Sequence, residues 1–409
     1  MTPRPLRIAE IAAASNRSPW FAEICAELAR RGHDVVAVID SGDGDLAARL
    51  DARGIRHHAI PLIVAKNLDR ARLPFYLLKL PWAVLQLAAI LRRERIDVAH
   101  SHIFVANLVT RLACALARIP HLASLANPRH LEAQFTRRID RLTWRIASQR
   151  DDLIAGGCAY ATQLCREHLC IPDERLAVVY YGARAEQFDP PLADRMRVRR
   201  ELGIEDDTPL VGLIAHFYPP TRGPQTPLVT RGVGLKGHDT FVDAARIVTR
   251  RFPNARFVLV GSGSNELGER YRRILIDQSR DLGDRVLFTG HRDDLVDTIA
   301  ALDVAVQCAL SEGLGGTIEA LLMARPTIAT RVGGMPEAVR HEETGLLVEP
   351  ANAADLAHAI ERMLADRDEA TRFGAAGRAL MLERFTLART GADLDALFQR
   401  LRTTRAGTP

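Results

Sequence analysis

Apolar positions along this chain follow two alternating rhythms. Short runs such as LRIAEIA, DVVAVID and HLASLA are mostly apolar, as strands buried on both faces are, and DVAHSH reads as a strand of the same series with a polar end. Between them lie longer segments with apolar residues every three or four positions, which predict helices near 20–31, up to 91, over ANLVTRLACALARI and from about 130 to 149. DLIAGG and RLAVVYYG add two short strands around a further helix. The rhythm restarts at PLVGLIAHF, 209–217. It continues through helices at 238–252, 266–281 and 293–301, the strands ARFVLVGSG, RVLFTG, DVAVQC and TGLLVEP, and a closing helix at 353–366. Strand–helix alternation of this kind predicts an α/β fold with parallel sheets. A chain of 409 residues exceeds one compact core. The expected organisation is two doubly wound domains, 1–185 and 209–383, joined by a linker over 186–208. A helical tail, 384–409, follows, with a return to the first domain left open.

Composition narrows the class. Apolar residues make up 47% and charged residues 26%, as in ordinary globular proteins. Six cysteines (Cys25, Cys114, Cys158, Cys165, Cys170, Cys308) show no CxxC spacing, which argues against zinc and disulfide frameworks and suits a reducing compartment. The apolar run near the start is too short for a secretory segment and reads as a first strand. Residues 74–91 approach membrane-spanning length, but Lys79, Pro81 and Gln86 interrupt them; a buried helix, or one docking peripherally, fits better. Charge is uneven. Residues 1–185 carry 26 Lys/Arg against 18 Asp/Glu, and the remainder 29 against 32. A basic first half suits an anionic partner such as a membrane surface, a phosphorylated lipid or an acidic glycan; solvated helix faces would read the same way.

Chemistry concentrates at strand ends. In SEGLGGTIEALLMARPTIATRVGGMPE, 311–337, Gly313, Gly315 and Gly316 leave backbone N–H groups exposed before a helix expected from Thr317, its candidate N-cap, to a stop at Pro326. Glu312 and Glu319 bound this loop. Carboxylates face hydroxyls better than phosphates, so the pair suits a polyhydroxylated ligand, with phosphate at the amides. Helix-dipole complementation by Glu319 alone is the structural alternative. Gly261 and Gly263 in VLVGSGS follow a strand, but Glu266 stands where a dinucleotide fingerprint needs its third glycine, so nicotinamide binding is disfavoured. His100 and His102 share one face at a strand end, with His102 the cleft-facing candidate. No His/Asp/Glu cluster shows metal spacing in the sequence.

These segments resemble the signature of GT-B retaining glycosyltransferases of family 4, in which two glutamates bracket a glycine-containing loop after a strand of the C-terminal domain. The likeness extends over RVLFTGHRDDLVDTIAALDVAVQCALSEG, ATRVGGMPEAVRHEETGLLVEP, LKGHDTFVDAARIVTRRFPNARFVLVGSGS and much of the first half. It implies two Rossmann-like domains facing across a cleft and transfer of a sugar from a nucleoside-diphosphate sugar, UDP before GDP, to a hydroxyl acceptor such as a glycan or glycolipid precursor. It implies no essential metal and no further cofactor. Glu312 would hold the transferred sugar near its 3-OH, Glu319 the ribose hydroxyls, and Lys236 the diphosphate; with His102 they form the expected catalytic and donor set. Gly313, Leu314, Gly315, Gly316, Thr317, Gly261 and Arg292 complete the donor-binding residues. A cytoplasmic enzyme, peripherally associated with the inner membrane face, is the expected setting.

The chain departs from the family pattern in several places. Six residues separate the glutamates, where seven are usual. His216 stands where an arginine is common after the second domain's first strand; Arg222 or Arg231, on the loop that follows, are the candidate replacements. Ala126, Asn127 and His130 occupy the region of a usual sugar-facing histidine, and AAASNRSPW lacks the paired glycines of the first loop. A nucleotide-sugar epimerase or hydrolase of the same plan, and a silent binding protein, are the rival readings.

Overall fold

The computed structural model describes residues 4–13, 19–40, 45–62, 73–102, 104–125, 128, 131–132, 138–149, 151–220 and 232–406. The chain divides into two compact units, one of residues 1–182 with 387–409, the other of residues 183–386. In the first, β1 (Arg7–Ala12), β2 (Asp34–Ile39), β3 (Arg56–Ala59), β4 (Val98–His102), β5 (His121–Leu125), β6 (Leu153–Gly156) and β7 (Leu176–Val178) form one sheet in the order β3-β2-β1-β4-β5-β6-β7. Every pairing in it is parallel. Its central strands β4 and β5 are buried end to end, their polar side chains included. On one side lie helices Pro19–Arg30 and Asp45–Asp51 with the terminal helix Leu387–Ala406, whose Leu394, Phe398 and Leu401 enter the same core. Helices Leu73–Arg93, Phe104–Ala117 and Ala159–Leu169 cover the other.

The second unit repeats the plan with β8 (Leu210–Ile214), β9 (Arg256–Val260), β10 (Val286–Gly290), β11 (Val304–Gln307), β12 (Thr327–Thr330) and β13 (Leu346–Val348), ordered β10-β9-β8-β11-β12-β13. In both sheets the strand order reverses once, between β1 and β4 and between β8 and β11. A crevice opens at the carboxyl ends of strands at such a point.

Two expectations are corrected. Residues 186–208 are no free linker but part of the second unit. Their helix Arg195–Glu201 is locked down because Arg197 pairs with Asp294 at 2.6 Å and donates to Asp297 at 3.0 Å. Arg199, fully buried, donates to the carbonyls of Ala301 and Glu205 at 2.6 and 2.8 Å. The closing helix Ala353–Ala365 is followed at once by another, Arg367–Arg384, started by the Asp366 side chain accepting from the Glu369 N–H. The stretch 74–91 lies within helix Leu73–Arg93, and among the described residues no helix is long and apolar enough to cross a membrane.

Candidate active site

The second unit's crevice is a cavity of about 370 Å³ at the β8/β11 reversal. β8 and the turn after it contribute Gly212, Ile214, Ala215 and His216; β9 ends in Val260 and Gly261; β11 supplies Ala305 and Gln307; the glycine loop and its helix add Gly316, Glu319 and Ala320. Gly261 is obligatory. Its φ is +144°, and a Cβ there would stand 2.1 Å from the Ala215 carbonyl oxygen. The missing side chain lets β8 and β9 converge at the cavity floor.

Glu319 defines the chemistry of this cavity. Its Oε2 is enclosed and has no hydrogen-bond partner among the described residues. Burial raises the carboxyl pKa above the usual carboxylate range. An enclosed acceptor without a protein partner is costly and suits a ligand hydroxyl.

Glu312 and Lys236 meet at the other end of the glycine loop in an ion pair, and Glu312 Oε1 also accepts the Gly313 N–H at 3.0 Å. Backbone geometry brings Lys236 there. The Gly237 φ of +71° turns the chain so tightly that a Cβ would lie 2.1 Å from the Cys308 carbonyl oxygen. The Leu310 N–H donates to Leu235 O at 2.8 Å, tying this turn to the end of β11. The half-buried Asp239 carboxylate then accepts the Gly234 N–H at 2.8 Å and steadies the turn from the helix side.

The other expected residues fall into three groups. Gly313, Leu314 and Gly315 lie on the loop between the two glutamates, while Gly316 and His216 line the cavity. Thr317 is not the N-cap: Gly316 holds that position, and the fully buried Thr317 hydroxyl donates back to Leu314 O, so it is spent inside the protein. Arg292 reaches the cavity wall, but its guanidinium grips Glu201 at 2.7 and 2.8 Å and Asp294 at 2.6 and 2.8 Å. Two carboxylates already neutralise it, which leaves it a wall and no free phosphate ligand. Arg222, Arg231, Ala126, Asn127 and His130 lie outside the described residues.

In the first unit, His102 ends β4 but is only 2% exposed, and both ring nitrogens are engaged. Nε2 lies 2.7 Å from Glu10 and Nδ1 2.9 Å from the Tyr181 hydroxyl. His100 meets the other Glu10 oxygen at 2.9 Å and Ser124 at 2.7 Å. Burial, then the neighbouring His100, lowers the His102 pKa to about 4. Burial opposes ionisation of Glu10, yet His100 and His102 bring its pKa down to about 2. His102 is thus a buried, neutral member of a network. The reading that no ligand cluster exists is corrected in part: Glu10, His100 and His102 place one donor atom each within 4.8 Å of one another. Strand register creates this grouping by pairing Glu10 with His100 and Ala12 with His102. Glu10, Asp239 and Gln307 all escaped the sequence reading. Gln307, a polar residue closing the apolar strand DVAVQC, is the one with a legible signal.

Two Rossmann-like units, the second with an enclosed, partnerless carboxylate oxygen at its strand reversal, define a two-domain α/β fold of the GT-B class. The Anabaena HepE structure in complex with UDP shares this fold over 97% of this chain and all of that one, with TM-score 0.78 and 19% identity. A glycosyltransferase from Rickettsia africae does so over 97% and 99%, with TM-score 0.80 and 17% identity. The family profile described as glycosyl transferases group 1 matches residues 228–366, and that of the glycosyl transferase 4-like domain residues 19–182. The chain belongs to the group 1 glycosyltransferases and is a glycosyltransferase. It is 29% identical over 364 residues (84% of this chain, 77% of the relative) to a D-inositol 3-phosphate glycosyltransferase of Stackebrandtia nassauensis. Over 216 residues (50% of this chain, 53% of the relative) it is 33% identical to a GDP-mannose-dependent alpha-(1-6)-phosphatidylinositol monomannoside mannosyltransferase of Mycobacterium tuberculosis.

Proposed function

We propose that this enzyme transfers a sugar, with retention of anomeric configuration, from a nucleoside-diphosphate sugar to a hydroxyl of a glycan, glycolipid or small-molecule acceptor. The observation that carries the reading is the enclosed, partnerless Oε2 of Glu319 on the wall of the cavity. A ribose diol supplies the hydroxyl donors that such an oxygen lacks. UDP is the first choice of carrier and GDP the second. The donor occupies the second unit and the acceptor the first.

Lys236 then neutralises the diphosphate as it leaves. Its partner Glu312 turns toward the sugar hydroxyls, so the ion pair keeps both groups at the same end of the loop. Charge grows on the leaving phosphate, and a cation fixed beside it is worth most in the transition state. The departing phosphate oxygen accepts the acceptor's hydroxyl proton on the same face of the sugar. The relatives are named as transferases, which favours this over epimerase, hydrolase or silent binding readings. The enzyme works in the cytoplasm, associated peripherally with the inner membrane face through its basic first unit.

The variant Glu312→Gln tests the catalytic assignment. Transfer should fall at least about 100-fold while nucleoside-diphosphate affinity and melting temperature hold. Normal turnover by this variant overturns the role of Glu312.

A further inference from the structure

The first unit's sheet is covered on one side by a helical layer whose outer surface is unusual. Ala9 and Ala99 pack beneath helices Leu73–Arg93 and Phe104–Ala117, and Ala123 beneath Ala159–Leu169. Register places Ala99 opposite His121 and Ser101 opposite Ala123, so these contacts share one side of the sheet. Helix Arg138–Ser148 joins the layer by packing against Ala159–Leu169, with Trp144 turned into the core.

Trp144 and the buried Ser148 fix which face of helix Arg138–Ser148 is inward. On the opposite face Leu142 is 52% and Ile146 66% exposed, one turn apart. Arg138 and Arg145 are exposed around them. Helix Leu73–Arg93, packed against Phe104–Ala117, repeats the motif: Trp82 is 61% and Leu85 57% exposed, and Lys79, Arg92 and Arg93 are exposed nearby. Leu116 on Phe104–Ala117 adds a further aliphatic at 49% exposure. The four helices of this layer contain eight Lys/Arg and two acids, Asp140 and Glu167; Arg111 alone of the eight is buried, against Asp151. Isolated exposed aliphatics are ordinary. Five large apolar side chains on helices where cations outnumber acids four to one are not.

We infer that this layer is a docking surface for an anionic lipid bilayer, with Leu142 and Ile146 of helix Arg138–Ser148 as the inserted pair. The inference rests on the peripheral-membrane part of the proposed function and names its element and lipid class. An interfacial helix needs an apolar stripe that enters the acyl boundary and cations that stay at the headgroups. Leu142 and Ile146 supply the first; Arg138 and Arg145 supply the second, their stems long enough to reach outward. A protein partner would have to be acidic over the same area, and a second copy of this chain would present the same positive charge.

Vesicle sedimentation of the full chain tests the assignment, using phosphatidylcholine vesicles with and without phosphatidylglycerol. The chain should bind only the anionic vesicles, and added salt should weaken binding. Leu142→Ser/Ile146→Ser should weaken vesicle affinity roughly tenfold or more, and Arg138→Gln/Arg145→Gln should remove the preference for anionic lipid. Both pairs should leave nucleoside-diphosphate binding by the second unit unchanged, and an unchanged thermal melt of the full chain shows that the first unit still folds. Equal vesicle binding by wild type and the Ser pair overturns the choice of helix. Absence of vesicle binding by a wild type that binds nucleotide overturns the docking surface while the transferase reading stands. Concentration-dependent self-association, lost in the Ser pair, assigns the face to a second copy and overturns it as well. Failure to bind any nucleoside diphosphate counts against the transferase reading alone.

Discussion

Replacing Glu319 by Gln separates a ligand-binding carboxylate from a structural one. Oε2 is enclosed without a partner among the described residues, and burial pushes the carboxyl pKa up, so the charge is an expense to the fold. Gln keeps the volume and removes the charge. Stability should therefore hold or rise, as at many functional sites where activity and stability compete. Ligand affinity should move the other way. A hydrogen bond from a hydroxyl to a charged acceptor contributes about 1.5–3 kcal/mol, so the nucleoside-diphosphate Kd should rise roughly ten- to 150-fold. Calorimetric titration gives the affinity and a thermal melt the stability, on the same sample. The reasoning is refuted if affinity stays within about twofold, or if Glu319→Gln loses stability as a helix-anchoring residue would.

Lys236→Met should lower kcat by about 100-fold or more, since a cation beside the leaving diphosphate acts mainly in the transition state; steady-state kinetics with saturating donor checks it. Gly261→Ala should cost at least about 2 kcal/mol of stability in denaturant unfolding, because the new Cβ meets the Ala215 carbonyl at 2.1 Å in a left-handed backbone. Arg292→Ala should act mainly on the melting temperature, through loss of the Glu201 and Asp294 pairs, with donor Kd changed far less than by Glu319→Gln. Acid should destabilise the first unit. His102 stays neutral in the fold down to about pH 4 and Glu10 stays ionised to about pH 2. The unfolded chain binds both protons at higher pH, so stability falls as pH drops from about 6.5 to 4 for His102 and from about 4.5 to 2 for Glu10, by about 3 kcal/mol each. Melting temperatures that stay level from pH 7 to 4 would contradict this.

The architecture is readable from apolar rhythm because parallel strands buried on both faces leave uninterrupted runs, and the covering helices leave amphipathic ones. Polar groups paired across the fold are another matter. RMRVRRE looks like a solvated linker helix until Arg197 finds Asp294 and Asp297, roughly a hundred residues on. Arg292 looks like a free cation after a strand for the same reason; Glu201, which holds it, is equally remote in sequence. Glu10 reads as a polar interruption in an apolar strand, and only the β1–β4 register reveals its two histidines. The helix Arg367–Arg384 has little amphipathic contrast, being rich in arginine and alanine, and so leaves no clear period to read. Glu312 and Glu319 bound one short glycine loop, so their closeness along the chain is enough to suggest that they serve a single site.

The central claim is that the second unit's cavity receives a nucleoside-diphosphate sugar. Titration of the full chain with UDP, GDP, ADP and their glucose or mannose conjugates tests it most directly. The account predicts saturable one-to-one binding of at least one nucleotide, abolished or strongly weakened by Glu319→Gln. Heat-silent titrations with every one of them, from a folded protein whose melting temperature none of them raises, would contradict it.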